Sequence, residues 1–316
     1  MLYNIKKSFA IHHIKQNQHT IYFEEYGNPL GIPVIFLHGG PGSGCNDAQK
    51  AIFDYKKYRV VFLDQRGSGK SIPKGEIKNN TTLKLIDDIE VVRMYLKIER
   101  WIVVGGSWGA TLALAYGQAH TDRVEAMILR AVFLGTKKEI EWAFFDAPLK
   151  FRPELIHRLN KFLNNKRLIN PIFALGKMLE NKNEKIKILG ADLWLAYESN
   201  LSTIQFNYNT FNEVLSNSGK KKKKLPNTPF LEWHYIKNNF FLKPNQLLKN
   251  KKKLLNIKIS IIQSDYDLLC PPSTSFNFAS GLVNCKIFRI ECAGHYISDP
   301  GVKEKMKQLL DEYEKK

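Results

Sequence analysis

Residues 101–119 read "WIVVGGSWGATLALAYGQA". A short apolar run enters two glycines, a serine, a tryptophan and a third glycine. It leaves as a longer apolar run with helical spacing. Few folds accommodate this. A sharp strand-to-helix turn brings neighbouring backbones close, so bulky side chains are excluded at its flanks. The residue at its centre is strained and lifted above the sheet, at the N-terminus of the helix. Gly105-Gly106-Ser107-Trp108-Gly109 matches G-x-S-x-G. Twenty glycines and fifteen serines in 316 residues give about 0.06 such matches by chance. The strand before and the helix after make a solvated serine in an ordinary turn the poorer reading.

The rest of the chain supplies a sheet for that corner. "IPVIFLHG" (32–39), "YRVVFLDQRG" (58–67), "VEAMILRAVFLG" (124–135), "NIKISIIQSD" (256–265) and "NCKIFRIE" (284–291) read as short buried strands. "TIYFEEYG" (20–27) alternates like a half-buried strand. Helical spacing marks residues 81–98, with Thr81 or Thr82 as the cap, a Pro-started segment at "PPSTSFNFASGL", and a closing helix from Val302 to about Tyr313. Strand–helix alternation at these lengths predicts an α/β fold: a mostly parallel central sheet with helices on both faces. From about Thr136 to Asn250 the strand pattern stops, and helical segments rich in Trp, Phe, Leu and Lys replace it. The expected organisation is a core of residues 1–135 and 251–316 with a helical cap domain, 136–250, inserted between two core strands. A chain of this length is near the size at which a second lobe forms.

Composition narrows the partners. The formal charge of +18 raises nucleic acid or an anionic surface. Lysines outnumber arginines 38 to 10, however, and the longest basic run, Lys220–Lys224, lies between "SNSG" and "LPNTP" like a solvated loop insert. No nucleic-acid partner is expected. No apolar run reaches the ~18 residues of a membrane span, and the first 18 residues lack a signal-peptide core. Cys45, Cys270, Cys285 and Cys292 show neither CxxC nor metal-ligand spacing, which fits a reduced cytoplasmic protein without a metal. Nothing here chooses between a monomer and a homo-oligomer. "RGSGKS" (66–71) imitates a phosphate loop, but the first glycine that loop requires is replaced by Asp64.

A serine hydroxyl needs a base and an oxyanion site. For this fold the acid and then the histidine follow the serine in the chain. His12, His13 and His19 precede the core, His157 and His234 lie in the helical lobe, and His38 precedes a glycine loop. His120 ends the helix that Ser107 begins. His295, in "ECAGHYISDP", follows the last strand at the sheet's C-terminal edge, where open α/β sheets place their chemistry. "QSDYDLLCPP" offers both Asp265 and Asp267, and spacing does not choose between them. In "FLHGGPGSG" (36–44), the N–H groups of Gly39 and Gly40, with that of Trp108, could hold an oxyanion.

Together, "HGGPG", "DQRGSGKS", "NTT…DDIEVVR" and "GGSWGATLALAY" are similar, in order and near-spacing, to the proline iminopeptidases of the α/β-hydrolase superfamily. The match runs from about Tyr26 to Ala131 and from Ile257 to Pro300. The resemblance implies a serine exopeptidase without cofactor that releases N-terminal proline from peptides. It implies Ser107 as nucleophile, His295 as base and, from the Tyr-Asp step before Cys-Pro, Asp267 as acid. It further implies that Glu198 and Glu232 bind the free amine. In this chain each Glu stands beside aromatics, in "ADLWLAYESN" and "FLEWHYIKNNFF". Phe133, Phe144 and Cys270 are the candidates for a proline-ring pocket. The rival readings are a general esterase, lactonase or amide hydrolase on the same fold, and a ligand-binding homologue that has lost catalysis.

Overall fold

A computed structural model describes residues 1–216 and 227–314. The run Lys220–Lys224 lies outside the described residues. Eight strands form one sheet: β1 (Ala10–Gln16), β2 (His19–Gly27), β3 (Ile32–Leu37), β4 (Tyr58–Asp64), β5 (Trp101–Ser107), β6 (Val124–Val132), β7 (Lys258–Ser264) and β8 (Cys285–Ile290). Their order is β1-β2-β4-β3-β5-β6-β7-β8. β2 runs antiparallel to both β1 and β4, and the six strands from β4 to β8 are parallel. β3 and β5 are central neighbours, so the loops after both reach the same edge.

Side chains alternate across each strand, and the two sheet faces bury two separate clusters. On β3, Ile35 and Leu37 join the cluster beneath α1 (Thr82–Tyr95) and α2 (Trp108–Ala119). Val34 and Phe36 join the opposite one. The helix α1 is capped as its sequence suggests, with the Thr81 hydroxyl accepting the Lys84 N–H at 3.3 Å. α2 is buried all round, which explains its lack of a polar face.

Two strands depart from expectation. β1 gave no sequence signal, since an edge strand reading "AIHHIKQ" alternates between half-buried and exposed positions and carries little apolar bulk. Its His12 ring stacks on Phe23 of β2 at 4.8 Å. β2 itself is buried on both faces rather than half-buried. Its two charges misled the pattern because each is paired inside: Glu24 with Lys50 at 2.9 Å, and Glu25 with Arg59 at 2.5 Å and His12 at 2.9 Å.

Between β6 and β7 the described residues hold helices only. They are α3 (Lys137–Glu141), α4 (Ala147–Phe151), α5 (Pro153–Phe162), α6 (Ile172–Leu179), α7 (Glu184–Ser202), α8 (Tyr208–Ser216), α9 (Asn227–Lys237) and α10 (Gln246–Lys249). A π-turn at Trp142–Asp146 joins α3 to α4. α10 packs on the core, where Gln118 at the end of α2 donates to the Leu247 carbonyl at 2.7 Å. The chain then closes with β7, α11 (Pro272–Ala279), β8 and α12 (Val302–Asp311).

Candidate active site

Ser107 ends β5 and caps α2 with φ 56 and ψ −125. A non-glycine residue held there is strained. The neighbours that hold it are backbone. A Cβ on Gly105 would lie 2.4 Å from the Gly109 carbonyl oxygen, and one on Gly109 only 2.1 Å from the Leu37 carbonyl oxygen. Any side chain at either position would push the strand and the helix apart. The flanking glycines therefore serve close approach, while the serine itself carries the positive φ.

His295 reaches the corner from the loop after β8. Its Nε2 lies 3.2 Å from Ser107 Oγ, and its Nδ1 lies 2.8 and 3.0 Å from the two Asp267 oxygens. With Nδ1–H donating to Asp267, Nε2 is left as the acceptor for the serine proton. Asp267 is 2% exposed, and its Oδ1 also accepts the Leu269 and Cys270 N–H groups at 3.0 and 2.8 Å. Those bonds fix its direction. Asp265 faces away and takes the Arg289 guanidinium on both oxygens, at 2.9 and 2.7 Å. Geometry thus separates the two acids that spacing left equal.

Three supports for the histidine loop had no sequence signal. Arg130 of β6 donates to the His295 carbonyl at 2.5 Å, Asp299 accepts the Gly294 N–H at 2.7 Å, and the Ser202 carbonyl of α7 accepts the His295 N–H at 2.8 Å. The last ties the histidine to the inserted helices as well as to the sheet.

A cleft of about 450 Å3, its open mouth included, lies above Ser107. Gly40, Phe133, Phe144, Glu198, Glu232 and Cys270 all line it. Gly39 does not, although a Cβ there would lie 3.7 Å from Ser107 Cβ. The Trp108 ring is buried away from the cleft, with its indole N–H on Gln65 Oε1 at 2.8 Å, so only its backbone N–H is available to an oxyanion. The lining also includes Phe240, Ile140 and Leu269, which were not among the expected pocket residues.

The two glutamates come from different helices, Glu198 from α7 and Glu232 from α9, and line the same cleft close enough for each to shift the other's carboxyl. Glu232 is 5% exposed and accepts the Trp194 indole N–H at 2.5 Å. Burial raises both carboxyls above the ordinary 4.5. Glu232 is raised further by the charge of Glu198, whereas His295 draws Glu198 back down. A buried, like-charged pair of this kind is satisfied by a cation placed between its members. Cys270 is 4% exposed, and burial pushes its thiol well above its usual range, so it is a neutral wall and not a second nucleophile. Among the described residues, Asp267, Cys270 and His295 also bring metal-type ligand atoms within 4.8 Å of one another. The carboxylate is already engaged by two amides and the imidazole and the thiol is protonated, so the set reads as acid–base machinery.

Comparison with known proteins places the chain in a family. Residues 32–302 match the family described as alpha/beta hydrolase fold. A proline iminopeptidase of Arabidopsis thaliana is 36% identical over 92% of this chain and 78% of its own length. One from Neisseria gonorrhoeae is 34% identical over 98% of both chains. Among solved structures, an alpha/beta fold family hydrolase from Bacillus anthracis covers 96% of this chain and 99% of its own, with TM-score 0.62 and 19% identity. A proline iminopeptidase-related protein from Thermus thermophilus covers 96% and 97%, with TM-score 0.59 and 21% identity. Among the described residues no helix is long and apolar enough to cross a membrane.

Proposed function

This chain belongs to the α/β-hydrolase proline iminopeptidases, serine exopeptidases that act on peptides, and from that premise we propose how its own residues remove an N-terminal proline. Ser107 attacks the prolyl carbonyl. His295 Nε2 takes the hydroxyl proton and delivers it to the departing amine, while Asp267 orients the imidazole and balances its charge. The N–H groups of Gly40 and Trp108, with Gly39 adjacent, receive the oxyanion. One such donor typically lowers the barrier by ~3–4 kcal/mol. Water, activated by the same histidine, then cleaves the prolyl ester.

The observation that carries the substrate assignment is the Glu198–Glu232 pair in the cleft beside Ser107. An internal peptide nitrogen is neutral and gives buried carboxylates nothing to pair with. An N-terminal prolyl nitrogen is a secondary ammonium with two N–H donors, one for each carboxylate. The apolar walls Phe133, Phe144 and Cys270 then receive the ring. Residues 136–250 act as the substrate-selecting cap, since both glutamates and Phe144 come from them. The four unpaired cysteines fit a cytoplasmic setting.

Turnover of prolyl-arylamide with a free amine, compared with alanyl-arylamide and N-acetyl-prolyl-arylamide, tests the assignment. The free prolyl compound should exceed the N-acetyl compound by at least about 10²-fold, from two charge-assisted bonds of ~1.5–3 kcal/mol each. Equal turnover of the two would leave a general hydrolase.

A further inference from the structure

The runs "DQRGSGKS" and "NTT…DDIEVVR" supply no reacting atom. They form a buried polar hub between β4, α1 and α9. Arg66 stands at its centre, 2% exposed, forked onto Asp88 of α1 by Nε and Nη2 at 2.6 and 2.7 Å. Its Nη1 donates to the Asn79 carbonyl at 2.7 Å. A guanidinium this deeply buried is tolerated because its donors are directed onto fixed acceptors. The Arg66 carbonyl in turn accepts Asn80 Nδ2 at 3.0 Å, and the same amide reaches the Glu76 carbonyl at 2.9 Å. Asn80 is thereby locked, with both of its oxygens presented to α9. Oδ1 accepts the Tyr235 hydroxyl at 2.8 Å, and the backbone carbonyl accepts the His234 Nε2–H at 2.8 Å.

Consecutive helical residues project about 100° apart, so ties at 234 and 235 fix a helix both in rotation and along its axis. Glu232 lies on the same helix, less than a turn upstream. A 20° rotation of α9 would carry a carboxylate about 5–6 Å from the axis through ~2 Å. A charge-assisted bond tolerates roughly 0.5 Å. The opposite face of the hub reaches the nucleophile: the Tyr235 ring packs on Trp108 at 4.6 Å, and Trp108 follows Ser107 directly.

We propose that Asn80, through Tyr235 and His234, is a positioning residue for the ammonium site. It sets the register of α9 on the core so that Glu232 meets the substrate amine at a fixed distance from Ser107. The selection of a free N-terminus then depends on a core loop that does not touch the substrate. The proposal rests on the reading of Glu232 as an ammonium ligand.

The test uses Tyr235→Phe, which removes one hydroxyl and keeps the ring, with Asn80→Ala, Glu232→Gln and the Tyr235→Phe/Glu232→Gln double variant beside it. KM and kcat are measured for prolyl-arylamide and its N-acetyl form, and Tm is recorded for each protein. Tyr235→Phe should raise KM for the free-amine substrate about 5–20-fold. Its kcat and its N-acetyl turnover should stay within about twofold. Asn80→Ala should do the same more strongly, and if it does not fold Tyr235→Phe carries the test alone. In the Glu232→Gln background Tyr235→Phe should add less than about twofold, because the group being positioned has gone. A hub that only stabilises the fold would lower Tm and leave KM untouched, or would weaken both substrates alike, and either result overturns the proposal. So does a full KM effect that persists without Glu232. If Glu232→Gln keeps the parent's preference for the free amine, the ammonium reading and the positioning role fall together. If Glu232→Gln abolishes it while Tyr235→Phe preserves it, only the positioning role falls.

Discussion

The nucleophile corner and the ammonium pair face each other across one cleft, yet they are built by opposite means. The corner is specified by backbone. Gly105, Gly109 and the Leu37 carbonyl leave no room for side chains, and the end of β5 and the loops after β7 and β8, all at one sheet edge, deliver Ser107, Asp267 and His295. The ammonium pair is specified by side chains on separate helices, held by Trp194 from one side and by the Asn80–Tyr235 tie from the other. The first arrangement is reusable for any acyl group. The second, on the function proposed above, decides which acyl group is accepted. Chemistry and selection can therefore be damaged independently, and the following experiments attempt that separation.

The largest loss should come from the corner. Ser107→Ala and His295→Ala should each lower kcat on prolyl-arylamide by roughly 10⁴–10⁶-fold while Tm stays near the parent's, because triad members act as one unit. Asp267→Asn should cost about 10²–10⁴-fold. Asp265→Asn should cost no more than a few-fold, since that carboxylate serves Arg289 at the half-exposed end of β8. A greater loss at Asp265 than at Asp267 would reverse the assignment of the acid.

The paired glutamates should respond next, and differently. Glu198→Gln and Glu232→Gln should each lower kcat/KM for free prolyl-arylamide by about 10–10³-fold. The ratio of free-amine to N-acetyl turnover should collapse with it. A matching collapse of N-acetyl turnover would show that the glutamates serve the chemistry and not the selection, and the contrast drawn above would fail.

The same contrast explains what could be read from sequence. The corner was legible because close backbone approach demands glycine at fixed positions within five residues. Asp267 was half-legible: its Oδ1 accepts the N–H groups two and three residues on, a local turn that "YDLLC" permits, whereas Asp265 is defined by Arg289 on another strand. Arg130, Trp194 and Asn80 were not legible. Their partners lie 165, 38 and 155 residues away, and no local pattern records such a meeting. β2 was misread for a related reason, since Glu24 and Glu25 look solvated until Lys50 and Arg59 are found inside with them.

The smallest effect is on stability, and its sign separates the two regions. Asp267 is met by two amides and an imidazole. Glu232 is met by one indole and another carboxyl, and burial followed by the Glu198 charge raises it well above the ordinary 4.5. Its neighbours from the packed elements are Trp194 and Glu198 of α7 and, through its field on Glu198, His295. Below about pH 4.5 the carboxyl is protonated in both the folded and the unfolded chain and contributes no pH dependence. Above that value the unfolded chain releases the proton while the folded chain still holds it. Stability therefore falls as pH rises toward the folded-state pKa. A glutamine at 232 has no proton to hold, and its amide oxygen can still accept the Trp194 N–H. Glu232→Gln should match the parent's Tm near pH 4 and exceed it at pH 8 by about 2–3 °C, the shift that ~1 kcal/mol produces in a protein somewhat smaller than this. Thermal melts of both proteins at half-unit steps between pH 4 and 8 measure it. A difference that stays flat across that range, or one that favours the parent at pH 8, would mean that the charge of Glu232 is already fully compensated in the folded chain, and the ammonium would then have no unmet charge to enter for.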